Sequence, residues 1–389
     1  MKLSFDDTQH AFAHKSNFDL QKAYRLFQTF SYPWLVSNGP KLANFALSIG
    51  LPIKGLIKKT IFHQFCGGET ITESAKSAIE LHANGIGAIL DYSVEGGADN
   101  QAYAAAFEEL KKVILEAANQ PAYPFAVFKC TGIGSFNALV AASEGVSLST
   151  KQNTELSDVS SRVHQLCALA AQHNVKILID AEETWIQKAI DELAVANMQE
   201  FNQEQAIVYN TIQLYRTGRI AEIQHQIAAA RAGGYKLGFK LVRGAYMEKE
   251  RLRAIEKGYV SPIQVSKENT DRDYNEALTL CFENRDVVSV MAGTHNEGSS
   301  YLLAQLIAEA KLDKKDDRFW FAQLYGMSDH ISFNLAHAGY NVAKYLPYGP
   351  VKEVLPYLSR RAQENSSVKG QAGRELSLII TEMKRRKLA

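Results

Sequence analysis

The sequence predicts an α/β protein: a closed (βα)₈ barrel, the TIM-barrel architecture, with an N-terminal helical extension. Three observations lead there. Eight short apolar, β-branched runs alternate with longer helical stretches, which implies parallel βαβ units. No obvious linker, repeat or low-complexity tract interrupts that alternation. The 389 residues would also be used up by one barrel of about 250 residues plus extra helices.

Residues 1–80 are expected to form the helical segment and residues 81–389 the barrel. Within the first, Leu42, Phe45, Leu47 and Ile49, then Leu51, Ile53, Leu56, Ile57, Ile61 and Phe62, are interleaved with Lys41, Lys54, Lys58 and Lys59. Such a basic amphipathic stretch can touch a membrane. The preferred reading is a helix packed on the core with a solvated lysine face. The eight runs are 86–91, 124–129, 175–180, 206–209, 237–242, 287–290, 319–322 and 341–345. Lys384, Arg385, Arg386 and Lys387 read as a solvated end, with a membrane or partner contact as the alternative.

Several function classes fall away. A net charge of +1 offers no broad nucleic-acid surface. With 46% hydrophobic and 22% charged residues the chain is not intrinsically disordered. No apolar run is long enough for a transmembrane helix, and the first twelve residues do not resemble a secretory signal or transit peptide. Cys66, Cys130, Cys167 and Cys281 are widely spaced, which fits buried thiols in a reducing cytoplasm rather than a zinc site. The run 132–137 lacks the third glycine of a dinucleotide fingerprint, and Walker, G-x-S-x-G and H-E-x-x-H motifs are missing. His10 and His14 have i, i+4 spacing but no third ligand, so no metal is expected; His330 and His337 read as capping or packing residues.

In a barrel of this kind the chemistry sits at the C-terminal ends of the strands. Asp91, Lys129, Asp180, Arg243, Thr294, His295 and Tyr345 all fall at or just past the ends of their runs, as if lining a pocket. A second constellation is Tyr357, Arg360, Arg361 and Glu364, spaced i, i+3, i+4 and i+7. On a helix this puts an aromatic ring, two guanidinium groups and a carboxylate on one stripe. Val354, Leu355, Leu358 and Ala362 make a separate apolar stripe. Such an arginine pair either grips a carboxylate or phosphate or is merely held by Glu364 at the surface, and spacing alone leaves both open.

At these residues the sequence resembles the proline dehydrogenase family, flavoenzymes that oxidise L-proline to Δ1-pyrroline-5-carboxylate. The resemblance runs from about Gly67 to Val368. It is carried by the motifs at 68–70, 179–183 (Ile-Asp-Ala-Glu-Glu), 241–246 (Leu-Val-Arg-Gly-Ala-Tyr), 294–296, 323–327 and 357–365. It implies a distorted (βα)₈ barrel that holds FAD noncovalently, with the last helix over the flavin. Arg360, Arg361 and Lys129 match the family's ligands of the substrate carboxylate, and Tyr345, Tyr357 and Leu324 its walls around the proline ring. Asp180 matches an aspartate at flavin and substrate, and with Lys240 and Arg243 is assigned to catalysis. Ala181, Gln213, Gly244, Ala245, Thr294, His295, Gln323 and Glu364, with Asp180 and Arg243, match cofactor-binding positions; Glu95 matches an acid that closes the site over substrate.

The resemblance also implies a membrane quinone as electron acceptor, a separate pyrroline-5-carboxylate dehydrogenase to take the product, and a peripheral place on the inner face of a membrane. Lys240 and Arg243 exchange the cation types frequent in bacterial relatives, following the mitochondrial-type pattern. Three rivals are hydroxyproline oxidation, a Schiff-base lyase using Lys129 or Lys240, and a flavin-less binding protein. Tyr345, which fills the space of a ring hydroxyl in proline-specific relatives, favours proline over the first.

Overall fold

The computed structural model describes residues 3–93, 99–367 and 371–388. Its eight strands close a barrel in sequential order: β1 (Ile86–Tyr92), β2 (Phe125–Phe128), β3 (Lys176–Ile179), β4 (Val208–Gln213), β5 (Leu237–Val242), β6 (Val288–Gly293), β7 (Phe319–Leu324) and β8 (Val342–Tyr348). The strands are parallel, with Thr211 opposite Lys240 between β4 and β5, and Ile89 opposite Tyr345 between β1 and β8. A helix follows each strand along the chain. The (βα)₈ expectation therefore holds.

Each of the eight runs overlaps a strand, but four were drawn too short by more than a residue: β6 runs on to Gly293 and β7 to Leu324, and β4 and β8 are the other two. β4 extends to Gln213 rather than ending at Tyr209. Its second half reads as a polar loop because Asn210, Thr211 and Gln213 carry amides and a hydroxyl. In the fold those groups are satisfied: Asn210 donates to Asp191 (2.8 Å), Thr211 to the Ile179 carbonyl (2.8 Å) and Gln213 to the Glu182 carbonyl (2.9 Å). β8 likewise continues through Pro347 to Tyr348, so Tyr345 lies within the strand and not at its end.

The chain forms two compact units, Met1–Gly96 with Gln323–Ala389, and Gly97–Ala322. In the second unit, aliphatic residues such as Val127, Leu178, Ile212 and Leu241 are buried along the strands. Phe125 meets Tyr209 and Trp320 edge to face at 5.5 and 5.1 Å, and the Lys176 ammonium lies over the Phe125 ring at 5.4 Å. This layer draws on the starts of β2, β3, β4 and β7, away from the strand ends where the chemistry was expected. Several helix starts in this unit are capped by side chains, most fully by the reciprocal Ser149 and Gln152 box.

The first unit holds a separate apolar cluster. Phe12, Leu20, Phe27, Phe30, Phe62 and Phe65 pack with Val354, Leu358, Ala362 and Ile379. Burying one such phenylalanine removes enough apolar surface to be worth about 1.5–3 kcal/mol. Both termini are tied into this unit. His10 stacks on His337 at 3.6 Å and His14 on Phe333 at 3.8 Å. Arg386 donates to the carbonyls of Phe12 and Lys15, each at 2.7 Å, and pairs with buried Glu382 at 2.6 Å, as Arg385 does at 2.8 Å. The basic tail is solvated at Lys384, Arg385 and Lys387, which are exposed, while Arg386 is drawn in, and both arginines pair with a buried carboxylate.

The 41–62 stretch also departs from the preferred reading. Its lysines at 54 and 59 are exposed, as expected, but Lys54 and Lys58 are also tied to Glu69 at 2.9 and 2.8 Å. Several of its apolar side chains, Leu42, Phe45, Ile49, Leu51 and Leu56, are exposed as well. The periodicity was amphipathic, but it has two apolar stripes and the core takes only one of them.

Candidate active site

In the 97–322 unit the candidate groups gather where strands β2 to β6 end. Asp180 follows β3, and its backbone N–H continues the sheet by donating to the Phe128 carbonyl at 2.9 Å. Its carboxylate receives Lys129, just past β2, at 3.3 Å, and Lys240 of β5 in direct contact. Burial alone would raise the Asp180 pKa, but the charges of Lys240 and Lys129 outweigh burial and hold it below the usual aspartate value. The group is a carboxylate bracketed by two ammonium ions, all three anchored at strand ends or within a strand.

Arg243 sits just after β5, with every guanidinium nitrogen engaged. Nε donates to Asp271 at 2.6 Å, Nη1 to Thr294 at 2.8 Å and Nη2 to Ser299 at 3.0 Å. The face of the guanidinium rests 4.3 Å from the centre of the Tyr274 ring. Thr294 also accepts the Asn296 N–H at 3.0 Å, and His295 beside it is half-buried. Gly244 has φ +140°, and a Cβ there would come within 2.5 Å of the Tyr215 ring. The chain leaving β5 can therefore turn here only as glycine, with Ala245 following. Gln213 spends its amide N–H on the Glu182 carbonyl, and its buried Oε1 has no hydrogen-bond partner.

Glu182 is a functional candidate that sequence reasoning passed over. Its Oε1 accepts the Thr131 N–H at 3.1 Å, and its other oxygen accepts the Thr131 hydroxyl. Burial pushes its pKa up to about 7, against the pull of the Thr131 hydrogen bonds. It lies two residues from Asp180 in the Ile-Asp-Ala-Glu-Glu run, and that adjacency was the available signal. The holders of Arg243, Asp271 and Ser299, had no comparable signal because they come from distant helices.

In the other unit, Tyr357, Arg360, Arg361 and Glu364 all lie on the Leu355–Ser367 helix. Arg361 is buried and donates to Glu364 at 2.6 Å, and its guanidinium carbon lies 5.0 Å from the Tyr357 ring centre. The stripe read from spacing is real in three members; Arg360 is half-buried on the same helix. The Arg361 Nε and the Tyr357 hydroxyl are buried without a hydrogen-bond partner. Two orphaned donors side by side are costly unless a ligand meets them. Tyr345 is buried in β8, and its carbonyl accepts the Tyr325 N–H at 2.8 Å. Leu324 ends β7, and Gln323 beside it accepts the Ser332 hydroxyl at 2.8 Å. Glu95 lies outside the described residues.

A family model described as proline dehydrogenase matches residues 74–374. The chain belongs to the proline dehydrogenase family. It is thus an oxidoreductase-family protein of proline catabolism, on the expected barrel. It is 32% identical over 426 residues to proline dehydrogenase 1, mitochondrial, of Dictyostelium discoideum, covering 98% of this chain and 74% of that protein. It is 34% identical over 322 residues to the carbapenem antibiotics biosynthesis protein CarD of Pectobacterium carotovorum, covering 83% of each. It is also 32% identical over 426 residues to hydroxyproline dehydrogenase of Xenopus laevis, covering 99% of this chain and 90% of that one. Among solved structures, proline utilization A from Bdellovibrio bacteriovorus, inactivated by N-propargylglycine, superposes with a TM-score of 0.75 at 18% identity, over 95% of this chain and 42% of that one. This supports the barrel; the chain spans less than half of that longer protein. All four cysteines are buried and unpaired, and among the described residues no cluster of metal-ligating side chains occurs.

Proposed function

We propose that the protein oxidises L-proline to Δ1-pyrroline-5-carboxylate by hydride transfer to noncovalent FAD, with a membrane quinone as the final electron acceptor. The observation that supports this most is the orphaned pair on one helix, Arg361 Nε and Tyr357 hydroxyl, in a chain of this family. They are donors awaiting an anionic ligand.

The donor set fits FAD. Gln213 offers a buried acceptor with no partner, Gly244 is exposed just after β5, and Arg243 and Lys240 supply fixed positive charge. Asp180, Ala181, Gln213, Arg243, Gly244, Ala245, Thr294, His295, Gln323 and Glu364 are the residues assigned to hold it. When bound, FAD supplies a two-electron acceptor for the substrate hydride. Cations beside it favour its reduced, negatively charged form.

Arg360, Arg361 and Lys129 are assigned the substrate carboxylate. A planar guanidinium pairs with a carboxylate through two parallel bonds, which fixes direction as well as distance. Holding the reacting C–H in one orientation is worth more here than added affinity. Tyr345, Tyr357 and Leu324 are assigned the ring walls. Asp180, kept ionised by Lys240 and Lys129, is a poor base. Its proposed task is to hold the two ammonium groups in place while the substrate nitrogen loses its proton to water, because only a neutral amine can stabilise the forming iminium. Glu95 is proposed to close the site by pairing with an arginine.

The test is an anaerobic titration. Purified protein should be yellow, and L-proline should bleach the flavin absorbance in a one-to-one turnover. A colourless protein that FAD fails to reconstitute would overturn the reading. The likeness to hydroxyproline dehydrogenase supports a second reading, which comparison of kcat/KM for proline and 4-hydroxyproline decides. The relatives named mitochondrial favour a mitochondrial compartment over the cytoplasm expected from the sequence. The product is proposed to pass to a separate pyrroline-5-carboxylate dehydrogenase.

A further inference from the structure

The Pro33–Ser48 helix has two apolar faces. Val36 is buried, and Ala43 and Leu47 pack beside it in the cluster that includes Leu358 and Ala362. At 3.6 residues per turn these three lie on one side. Trp34, Leu35, Leu42, Phe45 and, just past the helix end, Ile49 fall within about 100° of arc on another side. All five are exposed, Trp34 by 68% and Phe45 by 63%. Exposed Tyr32 precedes the helix, and exposed Leu51 and Leu56 extend the apolar surface beyond it. Scattered single exposures need no explanation, but a continuous aromatic-rich face does.

Along the chain the charge of this stretch has one sign, although Lys54 and Lys58 are paired with Glu69 and Glu73 from just beyond it. From Leu20 to Gly68 the chain carries Lys22, Arg25, Lys41, Lys54, Lys58 and Lys59 and not one aspartate or glutamate. Arg25 and Lys59 are exposed. A second copy of the chain is a poor occupant, because a two-fold contact would set this acid-free stretch against itself. Tryptophan and tyrosine beside aliphatic side chains, bordered by cations, match the boundary between lipid headgroups and acyl chains. No helix among the described residues is long and apolar enough to cross a membrane, so contact here would lie on the surface.

We propose that the exposed face of the Pro33–Ser48 helix docks the protein onto an anionic lipid surface, with Trp34 and Phe45 entering the headgroup region. The inference gives the proposed quinone reaction its place of action, and its argument stands on these side chains alone. The packed face of this helix meets the Leu355–Ser367 helix that carries Arg360 and Arg361. The docking element and the proposed carboxylate clamp therefore share one apolar cluster.

The experiment uses the full chain with FAD bound and sedimentation with vesicles of phosphatidylcholine alone or with about one-third phosphatidylglycerol. Wild type should pellet with the anionic vesicles, less with neutral ones and less at high salt, with a blue shift in tryptophan emission. The double variant Trp34→Ser/Phe45→Ser should lose about tenfold or more in partitioning, and Lys59→Glu should weaken it without touching the apolar face. Both should keep wild-type circular dichroism and dye-coupled proline oxidation in solution. Wild type that ignores anionic vesicles, or a double variant that binds them as well as wild type, overturns the proposal. So does a dimer that the double variant splits while vesicle binding persists, since the face would then belong to a second copy. Vesicle binding is read without turnover, so its failure is distinguishable from failure of proline to bleach the flavin.

Discussion

Lys240 donates to the Asp180 carboxylate across a separation of 60 residues in the chain. This contact, with Lys129 on the other oxygen, reverses the effect of burial on Asp180. Asp180→Asn should leave two ammonium groups without their counter-charge and destabilise the fold by roughly 3 kcal/mol. The folded pKa of Asp180 is depressed, so its stabilisation is present above the unfolded value and lost as pH falls through the folded one. Thermal unfolding should therefore show the gap between wild type and variant narrowing in acid.

Glu182 has the opposite sign. Its folded pKa is raised from 4.5 to about 7, so its favourable contribution is full below the unfolded value and is lost as pH rises through about 7. Across that interval the loss is about 3 kcal/mol if nothing else titrates. Glu182→Gln keeps an acceptor for the Thr131 N–H and should flatten the pH dependence of stability between those values, as measured by urea unfolding.

Arg361→Met should raise KM for proline about a hundredfold, while the purified protein stays yellow. The variant removes a buried charge partner, and losses of this kind run to roughly 2–5 kcal/mol. Arg361→Lys should recover only part of it, since an ammonium cannot make two parallel bonds to a carboxylate. Steady-state kinetics beside the flavin absorbance separate substrate binding from cofactor loss.

Arg386→Ala should free the N-terminal segment. It deletes the charged donors to the Phe12 and Lys15 carbonyls and one partner of buried Glu382. Each charge-assisted bond is worth about 1.5–3 kcal/mol. Hydrogen exchange should quicken over the helix Asn17–Thr29 well before it does in β2 to β6.

The four thiols should resist a disulfide reagent in the native protein and react together on unfolding. All are buried, and burial raises the pKa of each thiol.

The barrel was legible because its strands carry short, mostly apolar runs that end on charge, as at Val175–Asp180 and at Leu237–Val242 before Arg243, each despite one lysine inside it. Legibility failed where polar residues are strand residues, as at Thr211 and Gln213, whose partners are backbone carbonyls from elsewhere in the chain. The stripe of Tyr357, Arg361 and Glu364 was readable because helical spacing is local. The cage of Asp271, Thr294 and Ser299 around Arg243 was readable only at Thr294, since chain proximity says nothing about which helices meet. The ion partners of Lys54 and Lys58 were missed for the same reason: Glu69 and Glu73 lie beyond the amphipathic run.

A helix with apolar residues on two opposed sides also governs how the protein behaves in a tube. At high concentration the Trp34 and Phe45 side offers the stickiest surface on its unit, so mild detergent or glycerol should keep the solution clear. Crystallisation or assay at low ionic strength should begin from a variant with serine at these two positions, which leaves the Val36 and Leu47 side intact.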